Sequence, residues 1–392
     1  MNMRRTLGAA LLLSASSLAP AQGDPNAGYD KKFFLADASR DHRMNIGGQI
    51  QFRYQATFQD DDPGFLGADN DTTLGFTLRR VKLKLDGNVI SDKVSYKVVG
   101  GFARGSGTFN LEDAFMGYEV DSAWSVRAGQ FKAPFMREEL VSSSVQQFVE
   151  RSIVNETFNQ DFSQGVEVGY ARDRFRAAAM ISDGFGSRNT PYNAAGEADF
   201  ALTARAEILL LDPGDWKRFK DLSSWRGSET NAMLGAAVHW QTMGETNPAG
   251  ADIDLFSATA DASVEGDGWS AFASVVWRRM DSAMGAEFDD LGASVQGGVF
   301  VTDQTELIAR WDAVFADTDR GGAGDTLHSI TAGFNYFFFP ESHAAKLSGT
   351  VSYALDPISD LAGVVSASDS LALRPDRNSG QIGLMLQMQL LF

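Results

Sequence analysis

The chain contains no cysteine, so disulfides are excluded, and a chain of this length must hold itself together by other means. Histidine is nearly as scarce. His42, His239, His328 and His343 are the only four, and none forms a metal-binding pair at helical spacing. There is no nucleophile-elbow glycine pattern. An enzyme is therefore not expected, and neither is a metal or a cofactor. Beyond the N-terminus, no window approaches the roughly 20 consecutive apolar residues of a membrane helix, which excludes helical membrane architectures. Basic residues are in deficit, 34 Lys and Arg against 51 Asp and Glu for a formal charge of −17, which argues against a nucleic-acid partner.

What is present begins with Arg4 and Arg5 ahead of an apolar stretch, Leu7 to Leu18, that ends in Ala19-Pro20-Ala21. This reads as a secretory signal peptide over residues 1–21. Its apolar core is too short to span a bilayer. The mature chain is expected to start near Gln22, and losing Arg4 and Arg5 takes the charge from −17 to −19.

The dominant pattern thereafter is period-two alternation. Met44, Ile46, Gly48, Ile50, Phe52, Tyr54, Ala56 and Phe58 share one face, and Asn45, Gln49, Gln51, Arg53, Gln55 and Thr57 the other. The last segment repeats it, with Ile382, Leu384, Leu386, Met388, Leu390 and Phe392 opposite Gln381, Gly383, Met385, Gln387 and Gln389. Such strands suit either a soluble sandwich or a barrel whose apolar face meets lipid. Length decides between them. Many candidate strands run to about 10 residues or more, enough for a tilted membrane crossing, whereas sandwich strands are nearer 5 or 6.

The expected fold is an all-β, transmembrane antiparallel β-barrel of about 16 strands by the membrane-barrel template. The segments are 44–58, 72–88, 93–103, 110–120, 124–133, 164–171, 175–182, 199–210, 230–241, 253–265, 269–279, 290–301, 305–315, 327–338, 345–355 and 378–392. Residues 22–43 precede the barrel as a short periplasmic segment, and 44–392 form it. Connections alternate between tight, as at Asp121-Ser122-Ala123 and Asp173, and long. Tight turns would face the periplasm and long loops the exterior. Segment 211–229 is a long connection where a tight one is expected. Trp124, Trp240, Trp269, Trp277, Trp311 and Tyr336 to Phe339 stand near strand ends, as in an interfacial girdle.

Residues 134–163 lack alternation. A loop so long is usually functional or disordered, and Leu140, Val141, Val145, Phe148, Val149 and Ile153 give it a helix-like apolar face that needs burial. The barrel interior is the available place, ahead of an outward-folded lid. The second strand changes phase: Leu74, Phe76 and Leu78 are even, Val81, Leu83 and Leu85 odd. One extra residue, a β-bulge at Arg79-Arg80, would turn both arginines inward.

The motifs GQFKAPFMREEL at 129–140, Ser142-Ser143-Ser144, FVERS at 148–152, GYDKKFFL at 28–35, IGGQIQFRY at 46–54 and FTLRRVKLKLDG at 76–87 resemble the phosphate-selective porin O/P family over essentially the whole mature chain. The resemblance implies a trimeric sixteen-stranded barrel in the bacterial outer membrane, embedded in its lipid, that passes small anions such as phosphate or polyphosphate. It implies that the third outer loop folds into the lumen. It also implies a constriction of paired arginines with a lysine, here Arg79, Arg80 and Lys132. Arg53, Lys82, Lys84 and Arg127 would form a basic track along the lumen. The alternative for the arginines is structural pairing with Asp113 or Glu119.

Lys97, Arg176, Arg205, Arg278, Arg310 and Lys346 also fall on polar faces, shared with Glu119, Glu167, Glu207, Asp261, Glu265, Glu306 and Asp312. The outer loops are acidic: Asp60, Asp61, Asp62, Asp69 and Asp71 in one, Asp281, Glu287, Asp289 and Asp290 in another. Solvated charge is the expected reading of these clusters, ahead of Ca²⁺ binding. They support an alternative, a general or weakly cation-preferring porin. A plugged structural or adhesive barrel is a third reading.

Overall fold

A computed structural model describes residues 26–392 apart from 60–71, 196, 212–214, 245–251, 283–284, 322–323, 359–363, 366–370 and 375–377. The expected signal peptide and the first acidic cluster, Asp60 to Asp71, lie outside the described residues. A short pair, β1 (Ala27–Tyr29) and β2 (Phe33–Ala36), comes first. The barrel follows as β3 (Arg43–Phe58), β4 (Thr72–Val89), β5 (Ser91–Phe102), β6 (Phe109–Glu119), β7 (Trp124–Lys132), β8 (Phe162–Arg172), β9 (Phe175–Ser182) and β10 (Phe200–Leu209). It continues as β11 (Asn231–Met243), β12 (Ile253–Gly266), β13 (Trp269–Ser282), β14 (Glu287–Phe300), β15 (Thr305–Phe315), β16 (Thr326–Phe337), β17 (Ala345–Ala354) and β18 (Ile382–Leu391).

Neighbouring barrel strands pair antiparallel, and β18 returns to β3 from Ile382 opposite Phe58 to Leu391 opposite Gln49. The closed sixteen-strand barrel leaves no edge, which satisfies the backbone without water. Alternation sorts the side chains: on β3, Gln49, Gln51 and Arg53 are buried while Ile50 and Phe52 are exposed. Closure is completed by the last residue. Gly48 N donates to Phe392 O at 2.7 Å and Phe392 N to Gly48 O at 3.2 Å. A Cβ at Gly48 would stand 2.3 Å from Phe392 Cζ, so only glycine lets the terminal ring pack there.

The bulge is present: Gln51 faces Arg80 and Phe52 faces Leu78, leaving Arg79 as the extra residue. Residues 27–36, within the segment expected to precede the barrel, form a hairpin whose β2 pairs with the start of β3.

The helix-like apolar spacing of segment 133–161 does not form one continuous helix. The segment holds two short helices, α1 (Arg137–Leu140) and α2 (Ile153–Phe158), around an irregular stretch. Ser142, Ser143 and Ser144 interrupt the helical pattern by competing for backbone groups. Ser152 starts α2 as its N-cap, accepting from Asn155 N at 2.9 Å. The irregular stretch has carbonyls without helical partners, and interior side chains of the wall meet them. Gln51 donates to Ser143 O, Gln389 to Ser144 O, Lys346 to Gln146 O, Asn335 to Gln147 O, Arg53 to Val149 O and Arg310 to Glu150 O. Buried carbonyls need such donors.

The connection of β10 to β11 now has a physical account. Its short 3-10 turn, Arg218–Lys220, carries Phe219 into a cluster with Leu209 and Met233. Leu222 packs on Val141 and Phe272, and Ser223 Oγ donates to Glu306 at 3.1 Å. The segment is long because it buries side chains rather than simply turning.

Candidate functional site

The site follows from the bulge. Because Arg79 and Arg80 are consecutive and both face inward, two guanidiniums reach one carboxylate: Arg79 Nε donates to Glu150 Oε2 at 2.7 Å and Arg80 Nη2 to Oε1 at 2.5 Å. Arg53 adds a third at 3.0 Å, and also bonds Gln387 Oε1 at 2.9 Å. Three cations thus meet one buried anion. Burial pushes the Glu150 carboxyl up, but Arg80, Arg79 and Arg53 together outweigh it and hold the group well below 4.5.

Lys132 lies in the same cavity with a different partner, Glu139 Oε1 at 2.5 Å. Arg151 reaches Glu139 Oε2 at 3.3 Å. Burial raises the Glu139 carboxyl, yet Arg151 and Lys132 bring it down to about 2. Lys82 pairs with Glu112 at 2.5 Å, Arg127 with Glu167 at 2.7 Å and Lys97 with Asp113 at 2.9 Å.

These groups border a cavity of about 670 Å³ between β3 to β8 and the polar edge of 133–161. Ten basic and six acidic side chains line it. Lys84 is a lining cation with no hydrogen bond or ion pair among the described residues, and Glu156 is a lining carboxylate of which the same holds. The opposite wall is closed by apolar packing. There Phe135, Ile153, Val154 and Phe158 meet Val276, Val314 and Leu327, with Ile358, Leu371 and Leu373 of the β17–β18 connection.

The structure therefore gathers Arg79, Arg80, Lys132, Lys82, Lys84 and Arg127 around one space. Arg53 departs from the expected basic track, because it is fully buried and holds the 149–150 backbone rather than lining the cavity. Asp113 and Glu119 are not the arginines' partners; Glu150 is. Glu150, Glu139 and Arg151 were not anticipated as site residues. Their signal was available in FVERS and REEL: charged residues inside an otherwise apolar, non-alternating segment. Among the acidic residues beyond β13, Asp289 pairs with Arg279, and Asp290 with Arg278 and Arg320. Among the described residues no cluster of His, Asp or Glu could hold a metal ion. Of the remaining interior cations, Arg176 pairs with Glu207, Arg205 with Glu207 and Asp261, and Arg310 with Asp312, while Lys346 donates to Gln146 O and Arg137 to Phe219 O.

Comparison with known proteins agrees with this architecture. The profile described as phosphate-selective porin O and P matches residues 49–276. No curated protein matches the chain by sequence. Among solved structures, the anion-selective porin from Comamonas acidovorans superposes with a TM-score of 0.59 at 13% identity, over 89% of this chain and 99% of that one. The outer membrane channel DcaP of Acinetobacter baumannii gives 0.58 at 13%, over 88% and 96%. The trimer form of in-vitro folded OmpT, an outer membrane protein of Vibrio cholerae, gives 0.57 at 14%, over 89% and 99%.

Proposed function

This chain belongs to the phosphate-selective porin O and P family, outer-membrane β-barrel channels, and from that premise we propose that it passes small anions, phosphate or polyphosphate among them, by passive diffusion. The observation that carries the reading is the excess of cations over carboxylates in direct contact. At the cavity Arg79 and Arg80 share Glu150, and Lys132 and Arg151 share Glu139. Two groups of pairs therefore keep uncompensated positive charge beside the cavity, and Lys84 adds more. In a narrow space with low-dielectric walls such charge concentrates anions. Guanidinium also offers a planar fork that suits phosphate oxygens.

The third long connection, 133–161, is the constriction in this reading. Support comes from the interior side chains of β3, β15, β16, β17 and β18 that donate to its carbonyls. Of the acidic residues beyond β13, Asp289 and Asp290 are held by Arg279, Arg278 and Arg320, and in this reading the cations at the cavity set the ion sign. The functional unit is a homotrimer, as the family resemblance implies and as the trimeric OmpT form illustrates.

One observation favours a second reading, a plugged structural barrel: the apolar packing that fills the side opposite the cavity. Planar-bilayer recording in a salt gradient separates them. Steady open current with an anion-selective reversal potential, reduced by added phosphate, is expected. No open current would favour the plug, and cation selectivity a general porin governed by its carboxylates.

A further inference from the structure

Glu156 stands apart from every other carboxylate at the cavity. Asp86, Glu112, Asp113, Glu139 and Asp161 each meet a lysine or arginine. Glu156 lies on α2 with its side chain exposed at the cavity and, among the described residues, has no side-chain hydrogen bond or ion pair. An unpaired anion on the wall of a basic passage opposes what the passage attracts. We propose that Glu156 determines the selectivity of the pathway: ionised, it repels anions from the cavity, and protonated, it leaves the surrounding cations to set the ion sign.

The inference rests on the reading of the cavity as the ion path, and the geometry supplies the rest. α2 is fixed against β14 and β15 through Val154 and Phe158, both buried, so Glu156 on the opposite side of the turn faces the open space. Within reach of its charge are Glu150 and Arg151 of the irregular stretch, Glu139 of α1 and Arg79 of β4. Behind α2, Arg278 of β13 donates to Thr157 O at 3.1 Å but is paired with Asp290, and Arg310 of β15 is paired with Asp312. Arg188 is matched with Asp161. Neither Arg79 nor Arg151 is free to neutralise Glu156, because Glu150 and Glu139 hold them. Enclosure by protein, then the charges of Glu150 and Glu139, push the carboxyl up to about 7 against the pull of Arg151 and Arg79. A raised carboxyl is neutral below that value and charged above it, so the change falls across near-neutral pH.

The test is the anion-to-cation permeability ratio of the full-length protein in planar bilayers, from reversal potentials in a KCl gradient between pH 8 and 6. The parent ratio should rise as pH falls, with its midpoint near 7, and Glu156→Gln should hold the acid-side ratio throughout. At about 6 Å one unit charge changes an ion's occupancy about threefold even at the dielectric constant of water, so the shift should be at least that large. A second variant keeps the two readings apart. Ser142 is an exposed lining residue in a chain without cysteine, and Ser142→Cys treated with a bulky charged thiol reagent should lose most of its current. If the labelled variant blocks but the parent ratio is flat with pH, or Glu156→Gln titrates like the parent, Glu156 has no such role although the path is right. If complete labelling leaves the current unchanged, the path itself is elsewhere and the inference falls with it.

Discussion

Replacing Glu150 by glutamine should release segment 133–161 from β3 and β4 without unfolding the barrel. Glu150 is 1% exposed and is the only carboxylate within ion-pair distance of Arg53, Arg79 and Arg80 among the described residues. Breaking a buried pair from one side costs about 3–5 kcal/mol, because the remaining charge is left unpaired. Here Arg79 and Arg80 lose their shared carboxylate together, and Arg53, fully buried, loses one of its partners. Barrel closure does not pass through this contact, since the β18–β3 ladder is backbone pairing. The cost is therefore local. At 1.4 kcal/mol per tenfold, it raises the detached population by about two to three orders of magnitude. Single-channel recording should show a larger, noisier conductance that remains anion-selective, since one negative charge has gone. Limited proteolysis in detergent should cut within 133–161 of the variant and spare the parent. Acid should not mimic the variant. A depressed carboxyl contributes stability above its unfolded value of 4.5, lost only as pH falls through the folded value, which lies well below 4.5. Protease resistance of the parent should thus not fall between pH 7 and 4.5. A quiet, unchanged conductance and an unchanged cleavage pattern in Glu150→Gln would refute the assignment of this contact as the latch.

Replacing Arg79, Arg80 and Lys132 together by glutamine removes most of the excess positive charge at the cavity; reversal potentials should move from anion-selective toward cation-selective at 0.15 M salt, and an unmoved potential would mean these residues only build the wall. Deleting residues 136–160 should raise single-channel conductance severalfold while the far-UV spectrum stays β-rich; insertion with unaltered conductance would show that the segment does not limit the lumen. Removing Phe392 takes away the pair of backbone bonds to Gly48 and the ring seated on it, and the fraction of protein reaching the heat-modifiable folded form should fall; full assembly would make the terminal residue ordinary packing.

The barrel was legible in the chain because period-two alternation is a local property: each strand reports its own two faces, as Ile50 and Phe52 against Gln49, Gln51 and Arg53 do on β3. The bulge was legible for the same reason, as a phase slip between Leu78 and Val81 that any register must absorb. The non-alternating stretch after Lys132 announced a long connection but not its shape, since its apolar spacing is helix-like while serine side chains and interior donors favour two short helices. Segment 211–229 carried no periodic signal at all, and only its packing on Leu209, Met233, Val141 and Phe272 accounts for its length.

The partners were beyond reach for a different reason. Arg79 and Glu150 are 71 positions apart, and Arg53 and Glu150 97. Their meeting depends on how far an irregular segment travels before it is caught by side chains from five strands. Composition and alternation establish a closed wall with a polar interior; they hold no information on which interior charge will face which. Asp113 and Glu119 were as plausible as Glu150 until the fold brought them into one space. Only the tertiary contacts between 133–161 and the strands decided that three guanidiniums share one carboxylate, that Arg53 is sealed from water, and that among the described residues Lys84 and Glu156 have no ion-pair partner. Ion pairing acts over a few ångströms in space, and the chain's order does not record that distance.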